Sequence, residues 1–413
     1  MPRSPSLKPV PLHREVYEAV VAEPEREVYE GTVAPEPEVY AATVATDPAP
    51  AGMFRAVGRL TEWLFGAATL ALTLSLLTAV PFGQVLVLGY MLEACGRVAR
   101  SGRLRDGLIG VRAAARVGGV AVAAGVLWLL LYGVSVVAES ARIIDPAGAT
   151  ARVWEGVLTL MMVTYVLHVV GALVAGGRLR HFLNPLGIPW LGLRLLRGGL
   201  YGECRDRLYA AVTGLRLTYY FGLGFRGYVG ALLWLMVPLT LLGLGHRHPA
   251  VGVLGGVLLG VVLLYLPFLQ ARFARENRLR AYRELRTVRH DFRRAPLAFT
   301  FALWVQLLAA SPLYLLKIEA IPRDLIFLEG FVFLAFMFPA RLVVGWAYSR
   351  ATKRQEPRHF VWRWAGRLAG LPVVFAYVLV VFFSQHLSWH GVSSLYEQHA
   401  FLLPVPFTDL DGK

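Results

Sequence analysis

From about residue 60 onward, this chain is a succession of long apolar runs separated by connections rich in arginine. Each run is roughly 20 residues, the length at which a helix crosses a hydrocarbon layer ~30 Å thick. The runs cover 64–80 (continuing past Pro81 towards Met91), 118–137, 154–176, 228–245, 250–269, 297–316, 325–346 and 368–388. A continuous run such as 250–269 lacks the alternation of a barrel strand, and backbone in lipid must bond within its own segment, which leaves helices. The pattern predicts an all-α, polytopic integral membrane protein with about eight transmembrane helices. A disordered tail is expected over 1–60, the helical membrane domain over 61–390 and a short C-terminal tail over 391–413.

Composition agrees. The chain is 56% hydrophobic with a mean hydropathy of +0.53, above the ~45–50% apolar usage of soluble domains. The net charge of +15 is uneven: residues 1–50 hold four basic and nine acidic side chains, about −5, which leaves about +20 for the rest. The arginines cluster in the connections at 97–116, 178–226, 272–294 and 350–367, and the intervening connections hold few. This alternation places the basic connections on the cytoplasmic face, near anionic lipid. Counting one crossing per run, both termini fall outside; the alternative is that the Pro81 region folds back without crossing. Membrane lipids, not nucleic acid, are the expected partners, and the cytoplasmic (inner) cell membrane is the expected location, crossed many times. No apolar core precedes residue 60, so no cleavable leader is expected.

The basic stretch 270–295 is the best-patterned connection. As one helix it would place Ala274, Ala281, Leu285, Val288 and Phe292 on one side and Arg272, Arg275, Arg283, Arg286, Arg289 and Arg293 on the other. It could lie in the bilayer interface or extend into solvent, stitched by Glu276–Arg280. A duplication also suggests itself: Val80-Pro81-Phe82-Gly83-Gln84 recurs as Leu266-Pro267-Phe268-Leu269-Gln270, which aligns Arg97, Arg100 and Arg103 with Arg283, Arg286 and Arg289.

The tail carries the most specific pattern. Glu-Val-Tyr-x-x-x-Val-Ala occurs at Glu15–Ala22, Glu27–Ala34 and Glu38–Ala45. Tyr17, Tyr29 and Tyr40 are the expected anchors for a protein partner, each copy pairing with a sheet edge and the three together raising avidity. A recently expanded spacer is the alternative.

Chemistry inside the membrane is sparse. His168 and Gln306 fall near the middle of their runs and form the candidate intramembrane polar site, whereas Glu329 and Arg341 sit where side chains can snorkel to headgroups. Gly252, Gly256 and Gly260 make a ridge for close helix packing, within the chain or between protomers of a homo-oligomer. His246, His248, His386, His390 and His399 gather near the presumed outer face without thiolates, so no metal site is expected. Cys95 and Cys204 fall in basic connections and read as free thiols. No phosphate-loop, zincin, redox or hydrolase-elbow motif is present, so neither a cofactor nor an enzymatic activity is expected.

The segment Pro81–Tyr90, followed by Gly96–Gly107, resembles a group of uncharacterised bacterial polytopic membrane proteins. In that group a Pro-ended first span runs through a Gly-Tyr pair into a basic connection. The resemblance implies a helical membrane protein and carries no activity or site residues. The function expected is a non-enzymatic scaffold or assembly factor that docks partners through the tail, with a transporter or channel for an apolar or lipid-like substrate as the alternative.

Overall fold

A computed structural model describes residues 53–80, 82–184, 187–317, 326–388, 391–396, 398 and 400–402. The repeats with Tyr17, Tyr29 and Tyr40, as well as His390 and His399, lie outside the described residues. The chain divides into two units, Met1–Gly58 and Arg59–Lys413. All regular elements of the described residues are helical. The long ones are α1 (Met53–Thr78), α2 (Gly83–Ser101), α3 (Val111–Ile144), α4 (Ala149–Val174), α5 (Gly187–Leu196) and α6 (Leu200–Gly214). They continue as α7 (Leu217–Gly243), α8 (Pro249–Glu276), α9 (Leu285–Arg294), α10 (Pro296–Ala310), α11 (Ile326–Thr352) and α12 (Phe360–Leu387). Eight stretches are long and apolar enough to cross a membrane: α1, α3, α4, α6 running into α7, α8, α10, α11 and α12. The expected polytopic all-α class stands, and each predicted run overlaps one of them. Pro249 and Pro296 open α8 and α10, where a missing N–H costs nothing.

The first run is not one span. It breaks after Thr78, and Phe82 takes a left-handed backbone conformation (φ 62°) before α2 begins. α2 carries Glu93, Arg97 and Arg100, too polar for a lipid-facing span, yet it is the most enclosed helix, with 15 of its 19 residues buried. It packs on α7, α8 and α11. It runs alongside α11 in the same direction: Tyr90 stacks on Phe338, Gly345 meets the Cys95 carbonyl, and Gly102 meets Ser349 and Lys353. α1 runs the other way. Its last turn, Ser75 and Thr78, meets Gly330 near the start of α11, while Gly66 meets Val111, two residues from the Ile109 carbonyl that accepts from Tyr90. The first predicted run is therefore two helices, α1 and α2, that run in opposite directions. This corrects the reading of 64–80 and its continuation towards Met91 as one span. Cys95 is likewise corrected: it lies buried within α2, not in a connection.

The 270–295 stretch is also not one helix. α8 ends at Glu276, Asn277 turns left-handed (φ 54°), a 3₁₀ segment follows at Leu279–Arg283, and only then does α9 begin. Ala281, Val288 and Asp291 are buried, and Leu285 and Phe292 pack on the main core. The apolar side packs largely on protein. Glu276 pairs with Arg272, and Arg280 with Glu284, in place of the predicted Glu276–Arg280 pair.

The same region fixes the register of the duplication. Arg97-x-Ala99-Arg100-x-Gly102-Arg103-Leu104-Arg105 matches Arg272-x-Ala274-Arg275-x-Asn277-Arg278-Leu279-Arg280, and nine of the nineteen positions over 87–105 and 262–280 are identical. The backbones agree. Gly102 (φ 80°) and Asn277 (φ 54°) are left-handed caps, Arg103 (φ −107°, ψ 120°) and Arg278 (φ −127°, ψ 122°) are extended, and each leads into a 3₁₀ segment. Packing agrees too: Gly107 turns back onto Val98, and Tyr282, its counterpart, onto Phe273, the counterpart of Val98. The register predicted from the Pro-Phe pairs fails. It aligns Arg97, inside α2, with Arg283, which closes the 3₁₀ segment.

The glycines of α8 divide between two neighbours. A Cβ on Gly252 would stand 2.7 Å from the Cα of Gly245, and one on Gly255 would overlap the Leu242 backbone of α7. Gly256 and Gly260 face Val378 and Val374 of α12, where an added Cβ meets a methyl at 3.5 Å. Only Gly252 of the predicted ridge is a forced close approach, and Gly255, outside it, is another. Gly256→Ala is expected to leave the unfolding midpoint in detergent unchanged or slightly raised, and Gly255→Ala to lower it by about 1–3 kcal/mol of stability.

Candidate functional site: a basic collar over a closed bundle centre

α2, α8 and α11 are parallel and end on one face. A helix C-terminus exposes carbonyls and carries partial negative charge, so cations are favoured there. Each of these helices sends a cationic side chain to the next. Arg100 of α2 donates to the carbonyls of Ala274 (3.4 Å) and Arg275 (3.1 Å) at the end of α8. Arg275 of α8 sits over the Tyr348 ring of α11 at 5.8 Å. Lys353, just past α11, donates to the Ser101 carbonyl of α2 at 2.7 Å. The duplicated arginines thus close a ring around three helix ends.

Glu93 anchors the collar from below. It is 5% exposed and accepts from Arg97 Nε (3.0 Å), Arg100 Nη2 (3.0 Å) and Tyr219 Oη (2.7 Å). Arg272, the counterpart of Arg97, pairs with Glu276 and Glu284 and donates to Tyr348 Oη at 2.9 Å. Next to it in α9, burial raises the Asp291 carboxyl above the ordinary aspartate range, against the pull of Tyr348, Arg272 and Arg294. Burial also raises the Tyr282 phenol, which donates to the Gly227 carbonyl at 3.0 Å.

Below the collar, the bundle centre is filled by the chain's own C-terminal segment. After α12 a 3₁₀ segment at Gly391–Tyr396 leads to Gln398 and to Ala400, Phe401 and Leu402, all buried. Gln306 Nε2 donates to the Ala400 carbonyl and Gln270 Nε2 to the Phe401 carbonyl, both at 2.8 Å. Tyr314 donates to Gln398 Oε1 at 3.0 Å and pairs with Tyr377 at 3.1 Å. Arg341 joins them from α11: Nη1 donates to Gln270 Oε1 and Nη2 to the Ala400 carbonyl, each at 3.3 Å. At 3% exposure it does not snorkel, and it has no carboxylate partner among the described residues. Its Nε, and Gln306 Oε1, have no hydrogen-bond partner among the described residues.

The pairing of His168 with Gln306 does not form. His168, on α4, bonds the Phe182 carbonyl at 2.8 Å, and α4 packs on α3, α5 and the turn at Leu179–Phe182. Of the two, the structure brings Gln306 into a polar cluster, with Gln270, Arg341 and Gln398, which the sequence did not group. A signal existed in Gln270, next to the end of one apolar run, and in Arg341, inside another. Among the described residues no three His, Cys, Asp or Glu side chains gather as a metal site.

Fold and collar define a multi-pass helical membrane protein with a basic face and a protein-filled centre. No family model, curated protein or solved structure matches this chain.

Proposed function

We propose that this protein is a non-enzymatic organiser of a membrane assembly in the cytoplasmic membrane, docking partner proteins through Tyr17, Tyr29 and Tyr40. The observation that supports this reading is the bundle centre, where Gln398, Ala400, Phe401 and Leu402 occupy the space a cargo would need. Two cavities lie elsewhere. One of about 470 Å³ sits between α3 and α4 beside Glu139 and Glu155, and one of about 300 Å³ on the basic face. Partner capture tests it: proximity labelling in cells should lose most of its neighbours when all three tyrosines become alanine, and an unchanged neighbour set removes the docking reading.

A second reading, transport of an apolar or lipid-like anion, draws on Arg341, Gln270 and Gln306, a polar set at mid-bundle capped by the chain itself. The two readings part at position 306. Gln306→Cys, with Cys95→Ser and Cys204→Ser, should resist a small thiosulfonate reagent in native membranes if the centre stays packed. Rapid labelling there would mean that the segment leaves, and would favour transport.

A further inference from the structure

The cavity on the basic face has a composition that calls for an anion. Ala295, Pro296, Leu297 and Ala298 of the α9–α10 corner form one wall, and Arg350, Arg354, Arg358 and Trp362 the other, enclosing about 300 Å³. None of the three arginines forms an ion pair with a described carboxylate. Their interactions are with carbonyls and rings. Arg354 Nη1 donates to the Arg294 carbonyl at 3.4 Å, the Arg358 amide to the Arg293 carbonyl at 2.9 Å, and Arg350 lies over Trp346 at 4.9 Å. Burial, with the charges of Arg358 and Arg350, lowers the Arg354 pKa. Like charges held this close repel, and a shared anion relieves them. Guanidinium groups are suited to this because they bind phosphate oxygens bidentately.

The surroundings identify the source of the phosphate. The cavity lies where α11 ends and α10 begins, at the edge of two membrane-crossing helices. Its rim is apolar and uncovered, with Leu297 49% and Trp362 48% exposed. From Leu297 an exposed apolar stripe runs down α10 through Phe301 to Leu308, at spacings of 4 and 7 that share one helix face. A soluble phosphate has no use for such a stripe, whereas an acyl chain does. We infer that Arg350, Arg354 and Arg358 form a specific site for the phosphate of an anionic phospholipid, with its acyl chains laid along Leu297, Phe301 and Leu308.

The test uses the full chain purified in a neutral detergent and titrated with phosphatidylglycerol in a phosphatidylcholine background. Native mass spectrometry counts the lipids retained. The wild type should keep one phosphatidylglycerol in preference to phosphatidylcholine. Arg354→Gln with Arg358→Gln should lower that preference at least tenfold, and Leu297→Gln with Phe301→Gln should weaken it with the arginines intact. Arg103→Gln with Arg105→Gln, two exposed arginines of the same face, should leave it unchanged. Three results overturn the inference: equal loss in the Arg103/Arg105 variant, which means unspecific charge; full retention in Arg354/Arg358, which means the lipid sits elsewhere; and displacement by millimolar inorganic phosphate, which means the site takes a free anion.

Discussion

Gly224→Leu is expected to prevent the bundle from assembling. α2 and α7 cross with glycine on both sides: a Cβ on Gly89 would overlap the Tyr220 carbonyl, and one on Gly224 would overlap the Val85 carbonyl. The atoms in the way belong to backbone, so no rotamer change makes room, and the helices must separate. Separation uncovers Leu88, Leu92 and Leu223, all fully buried, and strains the Glu93–Tyr219 hydrogen bond that links the collar to α7. Close packing is what holds membrane helices together, because lipid offers no hydrophobic drive for them to associate. A cost of about 3 kcal/mol or more follows from overpacking alone. The check is the monodispersity and unfolding midpoint of the purified variant, with Gly222→Leu as the control. Gly222 is two residues away on α7 with open space at its Cβ, so its variant should purify normally. Equal behaviour of the two would mean that α2 and α7 do not cross here.

What the sequence reveals divides along a physical line. A span that faces lipid must be apolar along its length, so the eight runs were legible. α2 was not, because a helix covered by protein on every side is free to carry Glu93, Arg97 and Arg100, and it then reads as a connection. The C-terminal segment was missed for the complementary reason. A stretch holding Gln398 and no long apolar run looks like a tail, and only the donors of Gln270, Gln306 and Arg341, from three separate helices, make its burial affordable. Repetition was visible but misaligned. The Pro-Phe pairs attract the eye, yet the conserved geometry is the helix end, where a left-handed cap and an extended arginine recur in Gly102-Arg103 and Asn277-Arg278. Pairing across helices was the least legible feature. His168 and Gln306 share only the property of lying mid-run, and nothing in one dimension says that α4 packs on α3 and α5.

Arg341→Met is expected to stabilise the protein. Arg341 lies eleven residues, about 16 Å of helix rise, from the end of α11. Two long polar contacts hold a charged group of this kind poorly. Both are hydrogen bonds at 3.3 Å, to Gln270 Oε1 and to the Ala400 carbonyl, and the third nitrogen, Nε, has no partner among the described residues. Desolvating a charge costs several kcal/mol even after relaxation, and well-packed apolar replacements of buried charges are often stabilising by about 1–4 kcal/mol. Methionine nearly matches the length of the aliphatic stem and adapts to irregular space. Gln270 Oε1 loses its donor in the variant, a cost of about 1–3 kcal/mol, while the Ala400 carbonyl keeps the bond from Gln306. The expected net effect is a higher unfolding midpoint. Intramembrane charges are costly and are retained for function more often than for stability, so on the transport reading this cation is the working residue. Arg341→Lys is the companion variant: it keeps the charge and should stay at or below the wild-type midpoint. If Arg341→Met instead lowers the midpoint by as much as Gly224→Leu, the arginine is a structural strut for the segment at Ala400–Leu402. The transport reading would then lose the observation that supports it.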